Sequence, residues 1–291
     1  MRDVFQQELS EVQERLVDIA NHVVVSIEAA VRAFGDSNVQ LAEQVIATDP
    51  IIDDKAASLD ELAIDIIARQ SPVARDLRIV VSALRISASL ERMGDLARHI
   101  ALLARYRFPM QVVPESLQPT FAEMGASDIE IAKMLRDLLE SQDLTLADRL
   151  ETADAHVDKL HRDVFAHVLG TTWEGAAHTT VDATLASRYH ERFADHAVGI
   201  AKKVKYLATG DWTGDDDARA EIIDSTLKGL FVGPSLQALI GAKLADADPA
   251  QLAETLMAGL RNDEVHLDGS AAHQLMQPED FLINPLPNLL F

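Results

Sequence analysis

The chain has 291 residues, enough for one large domain or two modest ones with a well-buried core. It contains no cysteine, which excludes disulfides, thiolate metal sites and a cysteine nucleophile. A formal charge of −21 at pH 7 argues against nucleic acid as a partner, because phosphate backbones bind positive surfaces.

Hydrophobic periodicity is helical nearly throughout. From residue 5 to 34 apolar side chains recur every three or four positions (Phe5, Leu9, Val12, Leu16, Ile19, Val23, Ile27, Ala30, Phe34), and Gly35-Asp36-Ser37-Asn38 stops this first helix. A second helix begins near Val39, with a bend expected at Pro50, and continues through Leu59, Leu62, Ile66 and Ile67. Ser71-Pro72 marks the next boundary, and a third helix is predicted over about 73–106. The segment 108–119, with Pro109, Pro114 and Pro119, reads as a linker. Three more helices follow at about 120–141, 144–169 and 176–208. The expected fold is all-α: two tandem three-helix bundles, residues 1–107 and 120–210, forming an internal repeat with antiparallel neighbours. Residues 1–15 are mixed and charged, unlike a signal peptide, and no apolar run approaches the ~20 residues of a membrane span, so a soluble cytoplasmic protein is expected.

The repeat is explicit in one motif. Leu90-Glu91-Arg92-Met93-Gly94-Asp95-Leu96-Ala97-Arg98-His99-Ile100-Ala101 returns a hundred residues later as His190-Glu191-Arg192-Phe193-Ala194-Asp195-His196-Ala197-Val198-Gly199-Ile200-Ala201. Glu and Asp four residues apart share one helix face, where they repel unless a cation or proton compensates. The duplication suggests two equivalent cation sites in two equivalent halves. Asp49 and Asp53 in the second helix match Asp154 and Asp158 in the fifth. Counted from the turns near Ser71 and Trp173, these pairs fall at the height of Glu91/Asp95 and Glu191/Asp195 in antiparallel helix pairs. Hard oxygen donors of this kind suit iron, manganese, magnesium or calcium.

Two plainer readings stand beside this one. Arg92, Arg192, Arg75, Arg78 and Arg85 lie close enough in sequence for the acids to be salt-bridged structural groups, and the four Asp residues near helix starts also favour the helix dipole. His99, His196 and His190 flank the motifs, and a lone helical histidine is more often packing than ligand. Neither motif contains Glu-x-x-His, and there is no Gly-rich phosphate loop or nucleophile elbow.

Over residues 1 to about 210 the chain resembles the PhoU family of bacterial phosphate-signalling regulators. The resemblance rests on Gln70-Ser71-Pro72-Val73-Ala74-Arg75-Asp76-Leu77-Arg78, on Leu90 to Asp95, and on Glu191 to Ala201. It implies six helices in two three-helix repeats and a homodimeric metal-binding adaptor rather than an enzyme. Its implied partners are the ATPase subunit of a phosphate ABC transporter and a membrane sensor histidine kinase. Its implied metal ligands are Glu91, Asp95, Glu191 and Asp195, with Asp49, Asp53, Asp154 and Asp158 added by the height argument. The implied cofactor is a divalent or trivalent metal ion, iron first, with manganese or magnesium as alternatives. A carboxylate-ligated metal enzyme and a metal-free helical adaptor are the rival functions.

Residues 211–291 change character, with 14 Asp and Glu against 4 Lys and Arg. Short helices at about 218–230, 234–244 and 249–260 lead to an extended apolar tail, Phe281 to Phe291. Gly233-Pro234-Ser235-Leu236, Leu252 to Leu260 and Asp280 to Phe291 resemble an early stretch of arginine deiminase. The later catalytic residues of that family are missing here, cysteine among them, so the extension is expected to be an incomplete fragment without deiminase activity, and a mobile one.

Overall fold

Helix ends in this chain are written locally, and the computed structural model, which describes residues 2–209, places them within a few residues of the periodicity. The order is α1 (Arg2–Asp36), α2 (Val39–Gln70), α3 (Ala74–Arg107), α4 (Gln118–Ser141), α5 (Thr145–Val168) and α6 (Ala177–Thr209), with no strand among the described residues. The extension at 211–291, with its short helices, apolar tail and deiminase-like stretch, lies outside the described residues. Asn38 caps α2 by accepting a hydrogen bond from the Leu41 N–H at 3.0 Å. The helix then runs unbroken through Pro50. Ser71 ends it in the left-handed region (φ 45°), its N–H donating to the Ile67 carbonyl, and Gln142 (φ 56°) ends α4 in the same way.

Amphipathic packing supplies most of what holds such helices together. α1, α2 and α3 pack on one another, as do α4, α5 and α6, and the two repeats join through α1 against α4 and α3 against α6. One continuous apolar core results, with Ile27, Ile52, Leu90, Met93, Ile131 and Phe193 fully buried. Each such side chain contributes roughly 1.5–3 kcal/mol by leaving water.

Two glycines set close helix approaches. A Cβ on Gly94 of α3 would lie 2.9 Å from the Ile52 Cδ1 of α2, and one on Gly125 of α4 would lie 2.5 Å from the Val31 Cγ1 of α1. Gly94 sits within the first Glu/Asp motif and Ile52 between Asp49 and Asp53. The absent side chain therefore draws the two acid pairs together.

Candidate metal centre

The turn at Ser71 folds α2 back along α3, and the heights match as counted. Asp49 and Asp53 both feel the negative charge of Asp95, one helix away. In the second repeat Asp154 of α5 feels Asp195 and Glu191 of α6, and Asp195 feels Asp158. All eight acids named from the sequence therefore lie on the α2–α3 and α5–α6 pairs, four to a repeat.

The surroundings of the two sets are not equivalent, contrary to the expectation from the duplicated motif. In the first repeat Arg98 reaches between the helices. Its Nε lies 2.6 Å from Asp49 Oδ2, an ion pair without hydrogen-bond alignment, and a terminal nitrogen donates to Asp95 Oδ1 at 2.9 Å. Arg92 donates to the other Asp95 oxygen at 2.9 Å. Burial opposes the Arg98 charge, but Asp95 and Asp49 outweigh it and hold the guanidinium protonated. Asp49 is buried, and desolvation lifts its pKa above the usual carboxylate range despite Arg98. Asp53 is exposed and raised more by its surroundings than by any single neighbour. Glu91 is half-buried and makes no hydrogen bond or ion pair among the described residues.

The second repeat has no residue like Arg98. Desolvation first, then Asp158, Asp195 and Glu191, push the Asp154 carboxyl up to about 7. Glu191 is nine-tenths buried and likewise raised to about 7, by burial and then Asp195. Asp195 keeps one side in water, yet the protein on its other side and the charge of Asp158 still raise it. Arg188 donates to Glu191 Oε1, and Arg162 approaches Asp158 only to 3.9 Å. Asp154 Oδ1 and Glu191 Oε2 remain buried without a hydrogen-bond partner. Such atoms are costly to leave unsatisfied.

These oxygens test the fit of a metal. In the second repeat the donors are hard oxygens, mutually repelling and partly orphaned, which is the chemistry a hard cation satisfies. The side chains are not drawn into a finished cage, since no three His, Asp or Glu among the described residues stand in metal-holding geometry. In the first repeat the fit fails at Asp49 and Asp95, whose charge Arg98 already meets.

The histidines of the motifs go to packing. His99 stacks on Tyr189 with ring centres 5.1 Å apart, and burial followed by Arg98 keeps it below its ordinary pKa. Burial, Arg192 and Arg92 do the same for His196. His190 Nδ1 meets Asp128 Oδ2 of α4 at 2.7 Å. Sequence reasoning named Arg92 and Arg192 as pairing candidates but missed Arg98, Arg188 and Asp128. For Arg98 a signal existed: aligned repeats place it opposite Val198.

Comparison with known proteins agrees with this architecture. The PhoU domain profile matches residues 16–104 and 121–204, one match to each repeat. The chain is 38% identical over 216 residues to the phosphate-specific transport system accessory protein PhoU homolog 1 of Mycobacterium leprae, covering 74% of this chain and 97% of that one. It is 39% identical over 210 residues to PhoU homolog 2 of Mycobacterium tuberculosis, covering 72% and 99%. The crystal structure of PhoU from Pseudomonas aeruginosa superposes with a TM-score of 0.63 at 27% identity, over 71% of this chain and all of that one. Two matched domains, two three-helix repeats and the full length of these relatives place the chain in the PhoU family.

Proposed function

We propose that this protein is a regulatory accessory component of a phosphate-specific transport system, and that the acids of its second repeat take up a hard cation. The first half of this reading follows the names of its relatives, which are accessory proteins of phosphate-specific transport. The second half is carried by one observation: Asp154 and Glu191 hold buried oxygens without hydrogen-bond partners in a cluster where burial, and after it the neighbouring like charges, raises both pKa values to about 7. A bound cation supplies positive charge to that cluster. Asp154 and Asp158 would hold it from α5, and Glu191 and Asp195 from α6, so that the acids would draw these two helices together. Iron is the first candidate, then manganese or magnesium. In this reading the protein acts as a homodimer on the cytoplasmic side of the membrane. It joins the ATPase subunit of the transporter to a membrane sensor histidine kinase and represses the phosphate-starvation response when phosphate is plentiful.

Metal content of the purified chain tests the site, measured beside an Asp154→Asn/Glu191→Gln variant with thermal midpoints followed in added iron, manganese and magnesium. A ligand that binds only the folded state raises the midpoint. Metal and midpoint shift present in the parent and absent in the variant support the reading. Their absence from both leaves an adaptor without an ion. Co-purification of the transporter ATPase with the chain tests the partnership separately.

A further inference from the structure

The two repeats carry the same acids but answer their charge differently, and at one position the difference spans the helix pair. Seven residues beyond the motif glutamate stands Arg98 in α3 and Val198 in α6. The Arg98 guanidinium spans the helix pair, 2.6 Å from Asp49 Oδ2 and 2.9 Å from Asp95 Oδ1. A guanidinium keeps its charge at every working pH and presents a planar fork suited to two carboxylates at once. Val198 is buried and offers only methyl groups. Asp154, the counterpart of Asp49, accordingly has no ion pair among the described residues, and its Oδ1 is buried without a partner. Lys202 acts on Asp154 only through its field, and Arg188 meets Glu191 rather than Asp154.

We infer that Arg98 is the resident cation of the first repeat: its side chain occupies the position a metal ion would take between α2 and α3, so this chain binds metal through the second repeat alone. A metal ion entering beside Arg98 meets a fixed positive charge. Displacing Arg98 strips a half-buried guanidinium of both partners. The first repeat is therefore locked in the state that the second reaches only when a cation binds. One repeat becomes a constant scaffold and the other a switchable element. The switchable half rests on the metal reading above, whereas the role of Arg98 stands on its own geometry.

The test uses the full chain, stripped with chelator and titrated with manganese(II), with bound metal and thermal midpoint both recorded. Parent protein is expected to bind manganese that disappears in Asp154→Asn/Glu191→Gln and persists in Glu91→Gln/Asp95→Asn. Arg98→Val gives the first repeat the residue of the second. It is expected to melt several degrees lower without metal, and to bind additional manganese that restores the midpoint. Arg98→Lys keeps a charge there and gains no manganese. Loss of the parent's manganese in Glu91→Gln/Asp95→Asn overturns the inference, and this arm decides even where Arg98→Val fails to fold. An Arg98→Val variant with an unchanged midpoint and no added metal also overturns it. No manganese on the parent but uptake by Arg98→Val sinks the metal reading of the second repeat and upholds Arg98 as the first repeat's cation.

Discussion

His190 Nδ1 lies 2.7 Å from Asp128 Oδ2, with the two side chains 1% and 0% exposed. The pair joins α6 to α4 beneath Phe34 and Phe121, whose ring centres stand 6.3 and 5.9 Å from the imidazole. Burial outweighs His190 and lifts the Asp128 carboxyl to about 6. Breaking a buried pair by removing one member leaves the other stranded, at a cost of about 3–5 kcal/mol. Asp128→Ala is expected to lose that much in urea unfolding. Asp128→Asn, which retains a hydrogen-bonding group, is expected to lose clearly less. Equal losses would mean that only volume matters at this site.

Stability should fall as pH rises across the acid range. Asp128, Asp154 and Glu191 have folded pKa values of about 6, 7 and 7 against ordinary values of 3.8, 3.8 and 4.5. Each holds a proton more tightly when folded, so its contribution is fully present below about 4 and is lost as pH climbs toward 7. The thermal midpoint of metal-free protein is expected to drop between pH 5 and 8, and the slope should flatten in Asp154→Asn/Glu191→Gln. Added metal acts in the opposite sense, binding better as its ligands deprotonate. A midpoint that rises with pH in the metal-free protein would contradict the assignment.

Gly94→Ala places a methyl 2.9 Å from Ile52 Cδ1. Overpacking of this kind costs about 1–3 kcal/mol, partly offset by the ~1 kcal/mol that Ala gains over Gly in a helix. A net loss of about 1 kcal/mol is expected. In the second repeat the corresponding positions are Ala194 and Val157, the opposite pairing of sizes. The double variant Gly94→Ala/Ile52→Val should therefore recover stability relative to Gly94→Ala, measured as a coupling energy in a double-mutant cycle.

Arg107 at the end of α3 holds the buried Asp182 near the start of α6 through two nitrogens, Nε and a terminal one, the latter at 3.1 Å. Arg107→Ala strands a carboxylate that is 5% exposed, with an expected loss of about 3 kcal/mol. Arg107→Lys should recover only part of it, because an ammonium lacks the fork that engages both oxygens. Denaturant midpoints of the three proteins check this.

Much of the fold was legible because helix formation is local. Apolar spacing, Asn38, Ser71 and the prolines after Phe108 act within a few residues of themselves, so the boundaries of six helices could be counted before any packing was known. The heights of the acids could be counted too, since an antiparallel pair reflects residues about its turn. Asp49, Asp53, Asp154 and Asp158 thus lie level with the motif acids as the count required. Pro50, which suggested a bend, lies exposed inside α2, whose helical run continues through it from Val39 to Gln70.

The sequence by itself determined the helices, their order, the internal repeat and the inventory of charge in each repeat, all consequences of spacing along one chain. Tertiary structure decided which charge meets which. Arg98 and Asp49 are 49 positions apart, and His190 and Asp128 are 62. Each pair forms only because particular helices meet in a particular register, for Arg98 at the depth that Gly94 permits against Ile52. Ion pairing falls off steeply with distance and burial. Two repeats with nearly identical acids therefore become electrostatically different sites once a single arginine is brought across the gap between two helices.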